Sequence, residues 1–295
     1  MKKFIAILLF VVFVFSLFAI RFLLTDNFSA MNIALTPTFS SSEKLSLEEK
    51  KQIKNILSQP FYYYAKGHHA FAFVSEDEKY ILKFLRAKKL RRPLLFSFVN
   101  TKAKQQEHLH SKRLAFILKS HALAENPLKD ETAVVYSHFY KTEDLSQTIH
   151  IFDKMNRSFS LKADNNSFIL QKRVDLYEEV IPNIVLSQNT YAIKQMIRSY
   201  FQVIANRCQK GIMNKDRGGW GRNYGIIDGY AKAYEIDIGS YVLSDFVKTK
   251  EGMEKEIRDC SRDFRRYISC HLPQMLEFFD KNIEKTVEAN HQPLR

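Results

Sequence analysis

Only 3 cysteines, 1 tryptophan, 7 prolines and 9 glycines occur among 295 residues. The cysteines (Cys208, Cys260 and Cys270) lack CxxC spacing, which argues against a zinc site or a dithiol redox motif. Cys260 and Cys270 can pair in an oxidising compartment or stay free as buried thiols; the sequence leaves both readings open. Scarce glycine and proline exclude collagen-like and low-complexity classes. Negative charge is also short: 32 Asp and Glu stand against 45 Lys and Arg, a formal charge of +13. That balance implies an acidic partner, whether nucleic acid, anionic lipid or a phosphorylated small molecule. No aromatic-interleaved or groove-reading motif accompanies it, so nucleic acid is not the expected partner. Much of the charge lies between Lys79 and Lys119 and reads as a solvated helix face with its lead-in.

Apolar residues are plentiful at 45%, with 24 Phe and 14 Tyr, enough for a sizeable core. After Met1-Lys2-Lys3, residues 4–20 are apolar apart from Ser16, and the run continues past Arg21 to Leu24. A helix over 1–24 has spanning length, roughly 20 residues, and is read as a single-pass transmembrane anchor. The alternative is a signal segment with export after cleavage, although no small-x-small site follows. Lys2 and Lys3 favour a cytoplasmic N-terminus. Residues 25–45 read as a Ser/Thr-rich linker, 46–175 and 176–288 as two folded portions, and 289–295 as a polar tail.

Ser46 and Glu49 form a capping box that starts a helix before Pro60. Strands are predicted over residues 61–64, 71–74 and 80–84, separated by a turn at Gly67 and another at residues 75–78. Residues 100–120 have helical composition, and Glu107 is the only acid among them. Four more strands follow, over 133–140, 148–153, 158–162 and 168–173. A long amphipathic helix over 190–210 carries Tyr200, Phe201, Ile204 and Cys208 at core spacing and stops at Gly211.

The helix feeds a chemically suggestive stretch. A short apolar strand at 211–213 opens onto a polar loop holding Asp216 and Asn223. A hairpin turning at Asp228-Gly229 ends on Asp237-Ile238-Gly239. Two acids and an amide delivered from adjacent strand ends suit metal-assisted phosphoryl transfer.

Asn214-Lys215-Asp216, Asn223 and Asp237-Ile238-Gly239 resemble, in order and punctuation, the catalytic and metal loops of the protein-kinase-like superfamily. Residues 61–84 are similar to that family's strand, glycine turn, strand and lysine strand. The absence of a long activation loop resembles the atypical and small-molecule branches, including membrane-anchored bacterial kinase-like proteins. The resemblance implies an α+β, two-lobed kinase-like fold: an antiparallel-sheet N-lobe and a shortened helical C-lobe, here after one transmembrane helix. It implies ATP and Mg²⁺ as cofactors and transfer of the γ-phosphoryl group to a hydroxyl on an acceptor, acidic by the charge balance. Asp216 would be catalytic, Asn223 and Asp237 would hold metal, and Gly67, Lys83 and Glu107 would serve ATP. The departures are Asn-Lys in place of His-Arg, one surviving turn glycine, and Asn223 seven residues after Asp216 rather than five. They motivate the alternative of a catalytically weak or dead pseudokinase, a membrane-tethered binding module.

Overall fold

The computed structural model describes residues 2–30, 33, 45–67, 70–86 and 100–291. Eight α-helices are described: α1 (Lys2–Thr25), α2 (Leu47–Leu57), α3 (Asn100–Glu125), α4 (Lys129–Thr132), α5 (Tyr177–Leu186), α6 (Thr190–Gln209), α7 (Lys250–His271) and α8 (Leu276–Asn290). The strands are β1 (Phe61–Lys66), β2 (Ala70–Ser75), β3 (Tyr80–Leu85), β4 (Val134–His138), β5 (Thr148–Phe152), β6 (Ser158–Lys162), β7 (Phe168–Lys172), β8 (Asp175–Leu176), β9 (Ile212–Asn214), β10 (Tyr224–Ile226), β11 (Ala233–Glu235) and β12 (Tyr241–Leu243). The chain divides into two compact units, residues 1–110 with 138–170, and residues 111–137 with 171–295.

In the first unit, α2 begins as its capping box requires. The Ser46 hydroxyl accepts from the Glu49 amide at 3.2 Å, and the Glu49 carboxylate accepts from the Ser46 amide at 3.0 Å. Of a seven-stranded sheet, this unit holds β3-β2-β1-β5-β6 in that order. Alternation along β2 buries Phe71, Phe73 and Ser75 on one face. A bulge between Tyr63 and Ala65 shifts the β1–β2 register on the approach to Gly67. Phe28, just beyond α1, is buried against the rings of Phe71 and Phe73, with centroids 5.1 and 5.3 Å away at steep angles. Full burial of one such ring stabilises by about 2–3 kcal/mol, so the segment after α1 belongs to this core.

The second unit is built on α6. Asn189 caps it by accepting from the Ala192 amide at 3.0 Å. Its buried stripe of Ile193, Met196, Ile197, Tyr200, Phe201, Ile204 and Cys208 packs with Phe264 of α7 and Phe279 of α8. The helix ends where the sequence reading puts it. Gly211 sits at φ +69° and donates its N–H to the Cys208 carbonyl at 2.8 Å. Past that turn, β9 pairs with β12, while β10 pairs with β11 and β8.

Two expectations are corrected. An antiparallel sheet in an α+β fold gives way to a mixed α/β arrangement, because β1 pairs parallel with β5 (Phe61 opposite Ile151). The transmembrane helix, and with it the single-pass membrane anchor, is not supported. Among the described residues no helix is long and apolar enough to cross a membrane. The last turn of α1 is instead engaged by the first unit, with Lys66 Nζ 4.6 Å from the Phe22 ring centroid and Thr25 buried. Arg21 lies immediately before that contact.

Candidate functional site

The second unit gathers three predicted site residues at one cluster of loops. Main-chain hydrogen bonds lace the cluster together. Lys215 N–H donates to the Ser240 carbonyl at 3.0 Å, and Ile236 N–H donates to the Asn223 carbonyl at 2.8 Å. The first bond ties the Asp216 segment to the residue after Gly239. The second ties Asn223 to the residue before Asp237. Pairing of Tyr241 with Asn214 and of Tyr224 with Glu235 extends the lacing into the strands. Asp216 is exposed, and Asn223 and Asp237 are half-buried.

Both acids sit in the same local setting. Asp216 Oδ1 accepts from the Gly218 amide at 3.3 Å, and Asp237 Oδ1 accepts from the Gly239 amide at 3.4 Å. These are long bonds, enough to bias a rotamer and too weak to occupy the carboxylate. Asn223 is held more firmly. Its Nδ2 donates to the Gly218 carbonyl at 3.0 Å, and its N–H donates to the Gly219 carbonyl at 2.7 Å. Gly219 lies at φ +74°, and a Cβ there would sit 2.9 Å from Asn223 Nδ2. Glycine is therefore what lets the loop close over Asn223. With the amide nitrogen engaged, Oδ1 is the metal-capable atom of Asn223. That oxygen and the Asp237 carboxylate are hard-oxygen donors, the type that could hold a cation such as Mg²⁺. No group of three or more His, Cys, Asp or Glu able to hold a metal occurs among the described residues.

Beneath the loops lies a buried charge cluster that sequence reasoning missed. Arg207 of α6 is fully buried, and Glu235 of β11 and Glu256 of α7 are 1% exposed. Arg207 Nη1 donates to Glu256 Oε1 at 2.9 Å. Its Nε stands 3.0 Å from Glu235 Oε2, close in charge but not aligned as a hydrogen bond. Arg217, from the loop that holds Asp216, adds ion pairs to Glu256 at 3.1 Å and Asp259 at 2.8 Å. Burial disfavours the charge on Arg207, but Glu235 and Glu256 more than offset it and raise the guanidinium well above its ordinary range. Tyr224, whose hydroxyl donates to Glu235 Oε1 at 2.9 Å, is kept neutral by burial and the neighbouring carboxylate. Ser120 of α3 closes the far side: its Oγ donates to the Ile238 carbonyl at 2.5 Å and accepts from the Tyr241 amide at 2.7 Å.

The lone tryptophan belongs to the same loop. Trp220 stacks on Phe264 at 4.6 Å between centroids with an 11° tilt, and Tyr267 lies 5.0 Å away. The packing pins the loop between Asp216 and Asn223 to α7.

The predicted ATP-serving residues lie elsewhere in the chain. Lys83 is half-buried on β3 opposite Ala72. Gly67, exposed just after β1, donates its N–H to the Ala70 carbonyl at 2.9 Å. Arg86 Nη1 donates to the Gly67 carbonyl at 3.3 Å. Glu107 falls within α3, but its side chain lies outside the described residues. All three cysteines are free thiols, Cys208 and Cys260 buried and Cys270 exposed, and burial raises the Cys208 thiol to about 12.

No family model and no curated protein matches the chain. Among solved structures, the bifunctional kinase-methyltransferase WbdD is similar, with a TM-score of 0.35 and 12% identity. The match covers 75% of this chain and 42% of that one, so the chain spans less than half the length of that protein. A likeness at this level carries no weight for the site, which stands on its own residues.

Proposed function

We propose that the chain is a kinase-like phosphotransferase that uses ATP with Mg²⁺ and delivers the γ-phosphoryl group to a hydroxyl acceptor. The single observation behind this reading is the laced loop cluster. Asp216, Asn223 and Asp237 come from separate segments, yet two main-chain hydrogen bonds of 3.0 and 2.8 Å tie those segments together. Phosphoryl transfer needs positioning and charge compensation more than covalent chemistry, so a rigid set of oxygen donors is the feature that matters. Asp216, the exposed acid, orients the acceptor hydroxyl and takes its proton. Asn223 Oδ1 and the Asp237 carboxylate would hold Mg²⁺, which when bound neutralises charge on the phosphate oxygens. The roles of Lys83 and Glu107 toward ATP rest on family resemblance alone. The formal charge of +13 favours an acidic acceptor.

The direct test is nucleotide binding by the full chain with and without magnesium, followed by transfer of labelled γ-phosphate. Magnesium-strengthened binding that is lost in Asp237→Asn supports the reading. Equal affinity of wild type and Asp237→Asn at every magnesium concentration overturns it.

One observation favours a second reading, a binding module with little or no transfer. The Gly67 amide, which a phosphate-cradling turn would offer to the nucleotide, already donates to the Ala70 carbonyl at 2.9 Å. Phosphate transfer that vanishes in Asp216→Ala would exclude this alternative.

A further inference from the structure

Asn214 stands two residues before Asp216, and Glu235 stands two residues before Asp237. The side chains of Asn214 and Glu235 meet. Asn214 Nδ2 donates to Glu235 Oε1 at 2.6 Å, while Asn214 Oδ1 accepts from the Asp216 N–H at 2.9 Å. One amide therefore holds the backbone of the first acid with its oxygen and the end of the strand leading to the second acid with its nitrogen. Asn214 N–H donates in turn to Glu256 Oε1 at 3.0 Å, and Arg207 pairs with both glutamates. Asn214, Glu235, Glu256 and Arg207 are all within 1% of complete burial. A charge cluster of this kind is costly to bury and rarely adds net stability over apolar packing, whereas it does impose one geometry on the groups it joins.

We infer that Asn214 and Glu235 are a positioning pair that couples the Asp216 loop to the Asp237 loop, fixing the spacing between the proton-accepting and metal-holding carboxylates. The catalytic meaning of that spacing rests on the phosphotransfer reading above. The mechanical coupling does not. Nothing in the sequence motif assigns this work to Asn214, which occupies the position where the resembled family has histidine, or to Glu235.

Asn214→Ala breaks the bridge and leaves Arg207, Glu235 and Glu256 in place. Phe279→Leu, in the core of the same unit, serves as a control of comparable stability loss. Amide hydrogen exchange under native conditions is the first readout. Asn214→Ala is expected to speed exchange at least tenfold in both residues 215–218 and residues 236–239, while Phe279→Leu leaves both segments within threefold of wild type. Acceleration confined to residues 214–216, or shared equally with the control, overturns the coupling. If Asn214→Ala does not fold, Asn214→Ser shortens the side chain and is read against the same outcomes. Nucleotide affinity is the second readout. Asn214→Ala is expected to lose at least tenfold in the presence of Mg²⁺ and less than threefold in its absence. A wild type that binds nucleotide identically with and without magnesium defeats the phosphotransfer reading, and the exchange measurement then decides the coupling by itself.

Discussion

Two glycine turns invite comparison, Gly67 in the first unit and Gly219 in the second. Gly67 lies outside the left-handed region, and among the described residues an added Cβ would approach the Ala70 carbonyl, at 3.4 Å. Gly219 lies at φ +74° with Asn223 2.9 Å from where its Cβ would be. The first is a glycine the local structure does not require, and the second is one it does. Family resemblance points to Gly67, yet physical necessity singles out Gly219. The contrast extends outward. The Gly219 loop rests on buried ion pairs, main-chain lacing and a stacked tryptophan, whereas Gly67 bonds the Ala70 carbonyl through its N–H and the half-buried Arg86 through its own carbonyl.

The support under the second unit gives the largest effect. Arg207→Met leaves Glu235 buried without its cation and Glu256 with Arg217 alone, and it is expected to destabilise by about 3–5 kcal/mol. Chemical denaturation of the full chain measures it. A loss below about 1 kcal/mol would mean that the cluster does not support the loops as described. Gly219→Ala comes next. Left-handed geometry costs alanine about 1–2 kcal/mol, and Asn223 must swing away from the Gly218 carbonyl. The accompanying signature is loss of the magnesium-dependent part of nucleotide affinity. Unchanged magnesium dependence would remove Asn223 from the metal set.

The first unit should respond to pH through His138. This ring is buried, with Nδ1 2.9 Å from the Asn166 carbonyl oxygen and Nε2 3.1 Å from the Thr142 hydroxyl. Burial pulls its pKa below the ordinary 6.5, outweighing the Asn166 carbonyl and the nearby Asp164 and Asp144. The unfolded chain then binds the proton more readily than the folded one. Stability is full above about pH 6.5 and declines as pH falls from there toward the depressed folded value. Thermal melts across that window should show a downward slope that His138→Gln removes. A slope that persists in the variant would assign it to other groups. Gly67→Ala should do least, below about 0.5 kcal/mol and with nucleotide affinity unchanged. A large loss of affinity there would reverse the comparison and restore the Gly67 turn as a phosphate cradle.

The elements legible in the sequence were those whose signals are local. The Ser46–Glu49 box, the β2 alternation and the α6 stripe ending at Gly211 all rest on contacts a few residues apart. Helix α5 was missed because Pro182 lies inside it and reads as a breaker. The Asp216, Asn223 and Asp237 set was readable as ordered punctuation. Its buried foundation was not, because Arg207, Glu235 and Glu256 come from three elements and meet only in three dimensions. A trace of them was nevertheless available. Arg207 follows Ile204 by three on the apolar stripe of its helix, and Glu256 precedes Cys260 by four on the buried face of another. Charged residues at core positions demand partners, and pairing opposite signs among such positions would have suggested the cluster.

Trp220 gives the molecule a built-in optical gauge. Because the chain has a single indole, all of its red-edge fluorescence originates in the loop between Asp216 and Asn223, quenched or shifted according to the stack on Phe264. Any nucleotide, cation or acceptor that rearranges this loop will register as a change in emission from the unlabelled protein, so ligands can be screened by light alone.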